Sequence, residues 1–172
     1  MMIKTKIFNR FFSTCLILLA LGVGPAMGQQ ELNEAKELNQ KVEKLYQAGN
    51  YAEAIPLARR ALELREQAQG PTHPDVATSL NNLALLLDKA GDYAGARPLY
   101  ERALTINEQA LGPTHPHVAT SLDNLALLLY ATGDYAGARP LLERALKIRE
   151  QTLGPADPDV AAAAEGGGDG RS

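Results

Sequence analysis

The chain is poor in the residues that usually carry chemistry. It has one cysteine, three histidines and only 5% aromatic residues in 172. Cys15 lies within an apolar run near the N-terminus, so no thiol remains beyond residue 28. That part of the chain needs no disulfide, offers no cysteine to a metal, and is silent on compartment through its thiol count. A glycine-rich phosphate loop is also missing. Gly166, Gly167 and Gly168 follow no strand pattern and precede no helix pattern. The histidines stand at segment openings, beside Pro74 and Pro116. His115-Pro116-His117 is the nearest approach to a metal motif, but no carboxylate stands at ligand spacing beside it, so His73 and His115 are expected to cap or position loops. No nucleophile, base and orienting group recur together. The expectation is a chain without cofactor, metal or catalytic residue.

The only long hydrophobic run is the 14-residue stretch Phe11 to Gly24. Lys4, Lys6 and Arg10 precede it, and Pro25-Ala26-Met27-Gly28 follows with small residues before a cut after Gly28. This order reads as a secretory signal peptide over residues 1–28. A retained anchor is the rival, although spanning a bilayer takes roughly 20 apolar residues. A lipoprotein site is disfavoured because Leu16 to Leu21 continue the run past Cys15. Cleavage removes three of the 17 basic residues and none of the 20 acidic ones, taking the formal charge from −3 to −6. An acidic balance argues against nucleic acid and anionic membrane surfaces as partners, leaving only a transient membrane encounter through the leader.

Beyond the leader, a repeat organises the chain. Residues 71–112 and 113–154 are identical at 33 of 42 positions, and a fixed period of this size marks a repeat array. Within one unit, Val76, Leu80, Leu83, Ala84 and Leu87 recur at spacings of three and four, predicting a helix over about 75–90. Gly91 suits the left-handed position past a helix end, and Asp92 can cap the next start. A second helix is predicted over about 93–110, ended by Gly112-Pro113. Ala84, Ala96 and Ala103 leave room for two antiparallel helices to approach closely. Pro56, Pro98 and Pro140 fall in the first two turns of the second helices, where each removes one backbone hydrogen bond and is expected to bend the helix slightly. A 42-residue period also equals six heptads, but a continuous coiled coil would have to run through Gly91 and Gly112-Pro113, and an interior proline costs about 3 kcal/mol.

The same register extends in both directions. Leu38, Leu45 and Gly49 match Leu80, Leu87 and Gly91. Lys41, Val42, Glu43 and Lys44 replace the Leu-Ala-Leu-Leu run, as suits a terminal repeat with one face in water. Pro155 to Ala161 restarts the unit, after which Ala162 to Ser172 reads as a disordered tail. The repeats thus fall at about 31–72, 73–114 and 115–156, with a truncated fourth beginning at 157–161. That end is expected to leave Leu141, Leu142, Leu146 and Ile148 as an exposed apolar patch that promotes self-association. Charges alternating along the helices, as at Arg97, Glu101 and Arg102, read as a solvated face.

The pattern N-N-L-A-L-L-L followed by G-D-Y-x-x-A-x-P-L-Y-x-R-A-L-x-I resembles a tetratricopeptide repeat (TPR). The small residues and rings of that pattern fall at Ala84, Gly91, Tyr93, Ala96, Tyr100 and Ala103. The 42-residue period and the opening H-P-D-V-A-T-S-L-N-N-L-A resemble the kinesin-light-chain subclass. Two departures are Glu108, where the usual pattern has a proline, and Ala84 and Ala126, where it has a glycine. The resemblance covers residues 31–161. It implies an all-α protein, an α-solenoid of about three hairpins in a right-handed superhelical stack, binding a protein or peptide without catalysis; export is implied by the leader alone.

The resemblance also implies a concave groove lined by the first helices. Its positions would be Lys36, Asn39, Gln40, Glu43, Tyr46 and Gln47, then Thr78, Asn81, Asn82, Leu85, Asp88 and Lys89, then Thr120, Asp123, Asn124, Leu127, Tyr130 and Ala131. Of the nine differences between the second and third repeats, three fall on these positions: Asn81/Asp123, Asp88/Tyr130 and Lys89/Ala131. A groove that reads a ligand would vary in this way, and so would drifting exposed sites. Asn82 and Asn124 are unchanged, and an amide can pair with an extended peptide backbone or within its own helix. The charges on these positions nearly cancel, which disfavours a groove selective for acidic tails. A longer protein, with a protease-like or signalling domain beyond these repeats, is the alternative reading.

Overall fold

A computed structural model describes residues 23–153. The leader up to residue 22, the restart at 157–161 and the tail at 162–172 lie outside the described residues. Six helices follow one another: α1 (Val23–Gln47), α2 (Tyr51–Gln69), α3 (Pro74–Lys89), α4 (Tyr93–Leu111), α5 (Pro116–Ala131) and α6 (Tyr135–Leu153). The described residues hold no strand. None of their helices is long and apolar enough to cross a membrane.

The breaks fall where local chemistry demands them. Gly49, Gly91 and Gly133 have φ of 75°, 85° and 84°, a region that costs a residue with a Cβ. After each glycine the chain folds back on the helix it leaves. Asp92 N donates to the Leu87 carbonyl at 2.8 Å and Gly91 N to the Asp88 carbonyl at 2.9 Å, the pair of bonds that closes a Schellman turn. Asp92 then caps α4 by accepting from Gly95 N at 2.9 Å, and Asp134 does the same for Gly137. This explains glycines that otherwise weaken a helix. A Cβ on Gly95 would lie 2.5 Å from the Asp92 carboxylate. In the first hairpin Asn50 makes no side-chain cap, and Glu53 takes the place of that glycine. His73 and His115 start α3 and α5, their Nδ1 atoms accepting from Asp75 N and His117 N. Pro74 and Pro116 follow as first helical residues, where a missing N–H costs nothing. Pro56, Pro98 and Pro140 all lie inside their helices.

Each hairpin packs its two helices together and then packs on the next, α2 on α3 and α4 on α5. The first helices α3 and α5 also touch. The largest cluster of core residues runs through all three hairpins, from Val42 and Ala54 to Leu129 and Ala138. Ala84, Ala96 and Ala103 are fully buried at the close approach of α3 and α4.

Three expectations change. The first helix begins at Val23, ahead of the expected start of the first repeat near residue 31; Pro25 is tolerated because the first turn has no intrahelical acceptor to lose. The expected apolar patch at the end of the third hairpin is largely absent. Ile148 is buried against Val118, Ala119 and Leu122, Leu141 packs on the core, and Leu146 is half-buried. Only Leu142 of the four is exposed. The second helix turns Ile148 toward its own partner helix, which needs no fourth hairpin to cover it. Arg102, read as solvated, ties adjacent hairpins. Its Nη2 lies 2.6 Å from Glu66 Oε1 and donates to the Pro71 carbonyl at 3.2 Å. Arg144 repeats this with Glu108 and Pro113, which gives Glu108 a use at the position where the usual pattern has proline. Arg97 and Glu101 do form an exposed pair one helical turn apart.

Candidate functional site

The first helices carry the surface that sequence reasoning singled out, and the structure divides its residues into groups. Leu85, Asp88 and Lys89 of α3 face Asn124, Leu127 and Ala131 of α5 across a recess of about 440 Å³. Tyr93 and Tyr100 of α4 complete its lining. A second, shallower hollow of about 550 Å³ lies along α1, lined by Lys36, Asn39, Gln40, Glu43, Lys44 and Gln47.

The recess exists because the second hairpin breaks a pattern. In the first hairpin Tyr46 packs on Tyr51 with ring centres 5.6 Å apart, and in the third Tyr130 packs edge-on against Tyr135 at 4.8 Å. In the second, Asp88 takes the place of the first ring and leaves Tyr93 without its partner. Tyr100, at 2% exposure, forms part of the lining. Burial, with the Asp88 carboxylate and the Tyr46 phenol nearby, pushes its hydroxyl well above the ordinary value of 10.0.

Asp88 is half-buried, and its carboxylate has no ion pair or hydrogen bond among the described residues. It also sits in the last turn of α3, where aligned peptide dipoles already place partial negative charge. An acid there costs about 0.3–1 kcal/mol. The fold therefore gains nothing visible from this carboxylate.

Asn81 and Asp123 point elsewhere. Asn81 Nδ2 donates to Ser121 Oγ at 3.3 Å, across the seam between hairpins. Asn107 Nδ2 donates to the same buried hydroxyl at 3.0 Å. Asp123 instead accepts from Arg149 of its own hairpin. The substitution Asn81/Asp123 therefore travels with Asn107/Arg149, and packing accounts for it without any ligand. One of the three groove differences loses its functional force, while Asp88/Tyr130 and Lys89/Ala131 keep theirs.

The two invariant amides are available. Asn82 is exposed on α3 and Asn124 is half-buried on α5 beside the recess. Neither side chain bonds to another described residue, whereas neighbouring Thr78 and Ser79 bond back to their own helix. Leu127 and Tyr130 stand out at 63% and 61% exposure, one turn apart on α5. Tyr93 and Tyr135 are exposed and join this surface beyond the positions that the resemblance implies. Tyr100 belongs to the core and only borders the recess.

His73 and His115 are spent as helix caps, and His117 lies in the first turn of α5. Among the described residues, no group of three or more His, Cys, Asp or Glu side chains gathers to hold a metal.

Comparison with known proteins supplies the family. The family model described as tetratricopeptide repeat matches residues 37–109, 89–151 and 118–166. No curated protein matches the chain. Among solved structures, a Podosopora anserina protein with nearly identical kinesin light chain TPR-like repeats aligns with a TM-score of 0.69 and 24% identity. That alignment covers 77% of this chain and 63% of the other. BtubC (BKLC) of P. vanneervenii aligns with a TM-score of 0.64 and 24% identity, over 84% of this chain and 63% of that one. The chain thus spans a little under two thirds of the length of either, and the likeness is one of fold. By its three overlapping repeat matches and its stacked hairpins, the chain belongs to the tetratricopeptide repeat family, whose repeats build scaffolds for protein interactions.

Proposed function

We propose that this chain is a non-catalytic scaffold that holds an extended peptide segment along its first helices. The observation that carries the reading is the pair of unspent amides, Asn82 and Asn124, on helices that meet at a recess. An amide offers one acceptor and two donors, which suits the backbone of an extended peptide. Leu85, Leu127 and Tyr130 add apolar contact beside them. Replacing Asn82 and Asn124 together by alanine is expected to abolish peptide capture while the far-ultraviolet circular dichroism stays unchanged. Capture that survives the double substitution would remove the groove from this reading.

The leader places the protein outside the cytoplasm in this proposal. Intact mass of the exported protein, expected to begin at Gln29, tests it. Self-association at the third hairpin would have to use Leu127, Tyr130, Tyr135 and Leu142, since Ile148 is buried. Sedimentation velocity of the full chain is the check. A second reading is a recognition arm of a larger protein with a protease-like or signalling domain. The genomic sequence past Ser172 decides it.

A further inference from the structure

We propose that the recess between α3 and α5 takes a cationic side chain of the bound peptide, arginine in preference to lysine, followed by an apolar residue laid on Leu127 and Tyr130. This rests on the groove reading above and names the ligand chemistry for that groove. The argument begins with Asp88. Its carboxylate lines the recess, is half-buried, and has no cation paired to it among the described residues. The equivalent residues of the other hairpins are Tyr46 and Tyr130, each packed on a second ring. The second hairpin gives up that ring contact and accepts an anion at the negative end of a helix. A ligand cation is the group that turns both losses into a gain.

The walls suit such a side chain. Leu85 and Leu127 flank the space an aliphatic stem would cross, and Tyr93 brings an exposed ring on which a planar guanidinium stacks. A guanidinium is also more weakly hydrated than an ammonium, so its partial burial is less opposed. Lys89 lines the same recess but is exposed, and its long flexible stem keeps its charge in water. Asp88, on one methylene, is fixed to the wall. The other acid of the first helices in this region, Asp123, is already paired with Arg149 and adds no competing field. Next to the recess, Leu127 and Tyr130 form an exposed apolar step, backed by Tyr135. The residue that follows the cation meets that step.

The test uses the full chain and a position-scanning library of acetylated, amidated nine-residue peptides, each pool fixing one residue at the centre, read by fluorescence polarisation. Pools with central arginine are expected to bind at least fivefold tighter than pools with central glutamate. Asp88→Asn, which keeps the side-chain shape, is expected to bring that ratio within twofold. Asp88→Tyr, which copies the third hairpin, is expected to move the preference to aromatic pools. A preference for glutamate, the absence of a preference, or an arginine preference that survives Asp88→Asn would overturn the inference and leave the groove standing. Loss of binding for all pools in the Asn82→Ala, Asn124→Ala protein supports the groove on its own. No binding of any pool to the unaltered chain would overturn both.

Discussion

Arg149 of α6 pairs with Asp123 of α5 inside the third hairpin, where the second hairpin instead turns Asn107 and Asn81 toward one shared hydroxyl, Ser121 of the next repeat. Equivalent residues are thus used within a hairpin in one repeat and across a seam in another. The first hairpin shows a third form, in which Arg65 reaches forward to Ser79 Oγ at 2.6 Å and to the Asp75 carbonyl. Ser79 and Ser121 hold the same place at the two seams, and their partners differ: Arg65 at the first, Asn81 and Asn107 at the second.

Exchange within that set should be tolerated only in pairs. Asp123→Asn alone leaves the mostly buried Arg149 without its anion and is expected to cost about 1.5–3 kcal/mol, the range for hydrogen bonds to charged groups. Adding Arg149→Asn copies the second hairpin and should recover most of the loss. Urea unfolding of the single and double variants measures the coupling. With Arg149→Asn alone measured as well, a double-variant loss equal to the sum of the two single losses would show that the pair has no mutual dependence. Ser121→Ala removes the acceptor used by both Asn81 and Asn107, whose Oδ1 atoms are already buried without a described partner. Its expected cost is about 1–3 kcal/mol.

The cap of α4 makes a second coupled pair. Asp92→Ala should cost about 1 kcal/mol, the usual value of a lost N-cap. Gly95→Ala normally gains up to about 1 kcal/mol in a helix. Here that gain is expected to vanish, because the new Cβ displaces the Asp92 carboxylate. In the Asp92→Ala background the same change should stabilise. Thermal unfolding of the four proteins closes the cycle, and an unaltered effect of Gly95→Ala in the two backgrounds would rule out the steric account.

Alkaline pH should weaken the second hairpin. Burial raises the Tyr100 hydroxyl above its ordinary value, with Asp88 adding to the effect. The neutral phenol is thus favoured in the folded chain. Its contribution is fully present below pH 10, where the unfolded phenol is also neutral, and is lost as pH rises above that value. Stability is therefore expected to stay level in this respect up to about pH 9 and to fall beyond about pH 10. Tyr100→Phe should flatten that fall. Denaturant melts between pH 8 and 11 compare the two, and parallel curves would remove Tyr100 as the source.

The groove residues were only partly legible. Leu85, Asp88, Lys89, Asn124 and Leu127 line one recess, and Asn39 lines the hollow on α1. Asn81 stands one residue before Asn82, a rotation of about 100° on an α-helix. That rotation sends Asn81 into the seam with Ser121 and leaves Asn82 in solvent. A position in a repeat gives the face of a helix to within about one side chain, and here the neighbour across the seam decides which of two adjacent amides is free.

The three hairpins and the turns within them were legible in the chain. Those features depend on local energies: glycine's freedom at positive φ, the aspartate and histidine caps, and apolar spacing at three and four. What each hairpin does to the next came from the stacking alone. Ile148 is buried because α6 turns it toward α5, and Arg102 is tied down because Glu66 and the Pro71 carbonyl lie within its reach. The recess opens where Asp88 stands in the place of a ring, a consequence of side chains drawn from three helices, α3, α4 and α5, that no single stretch of chain contains.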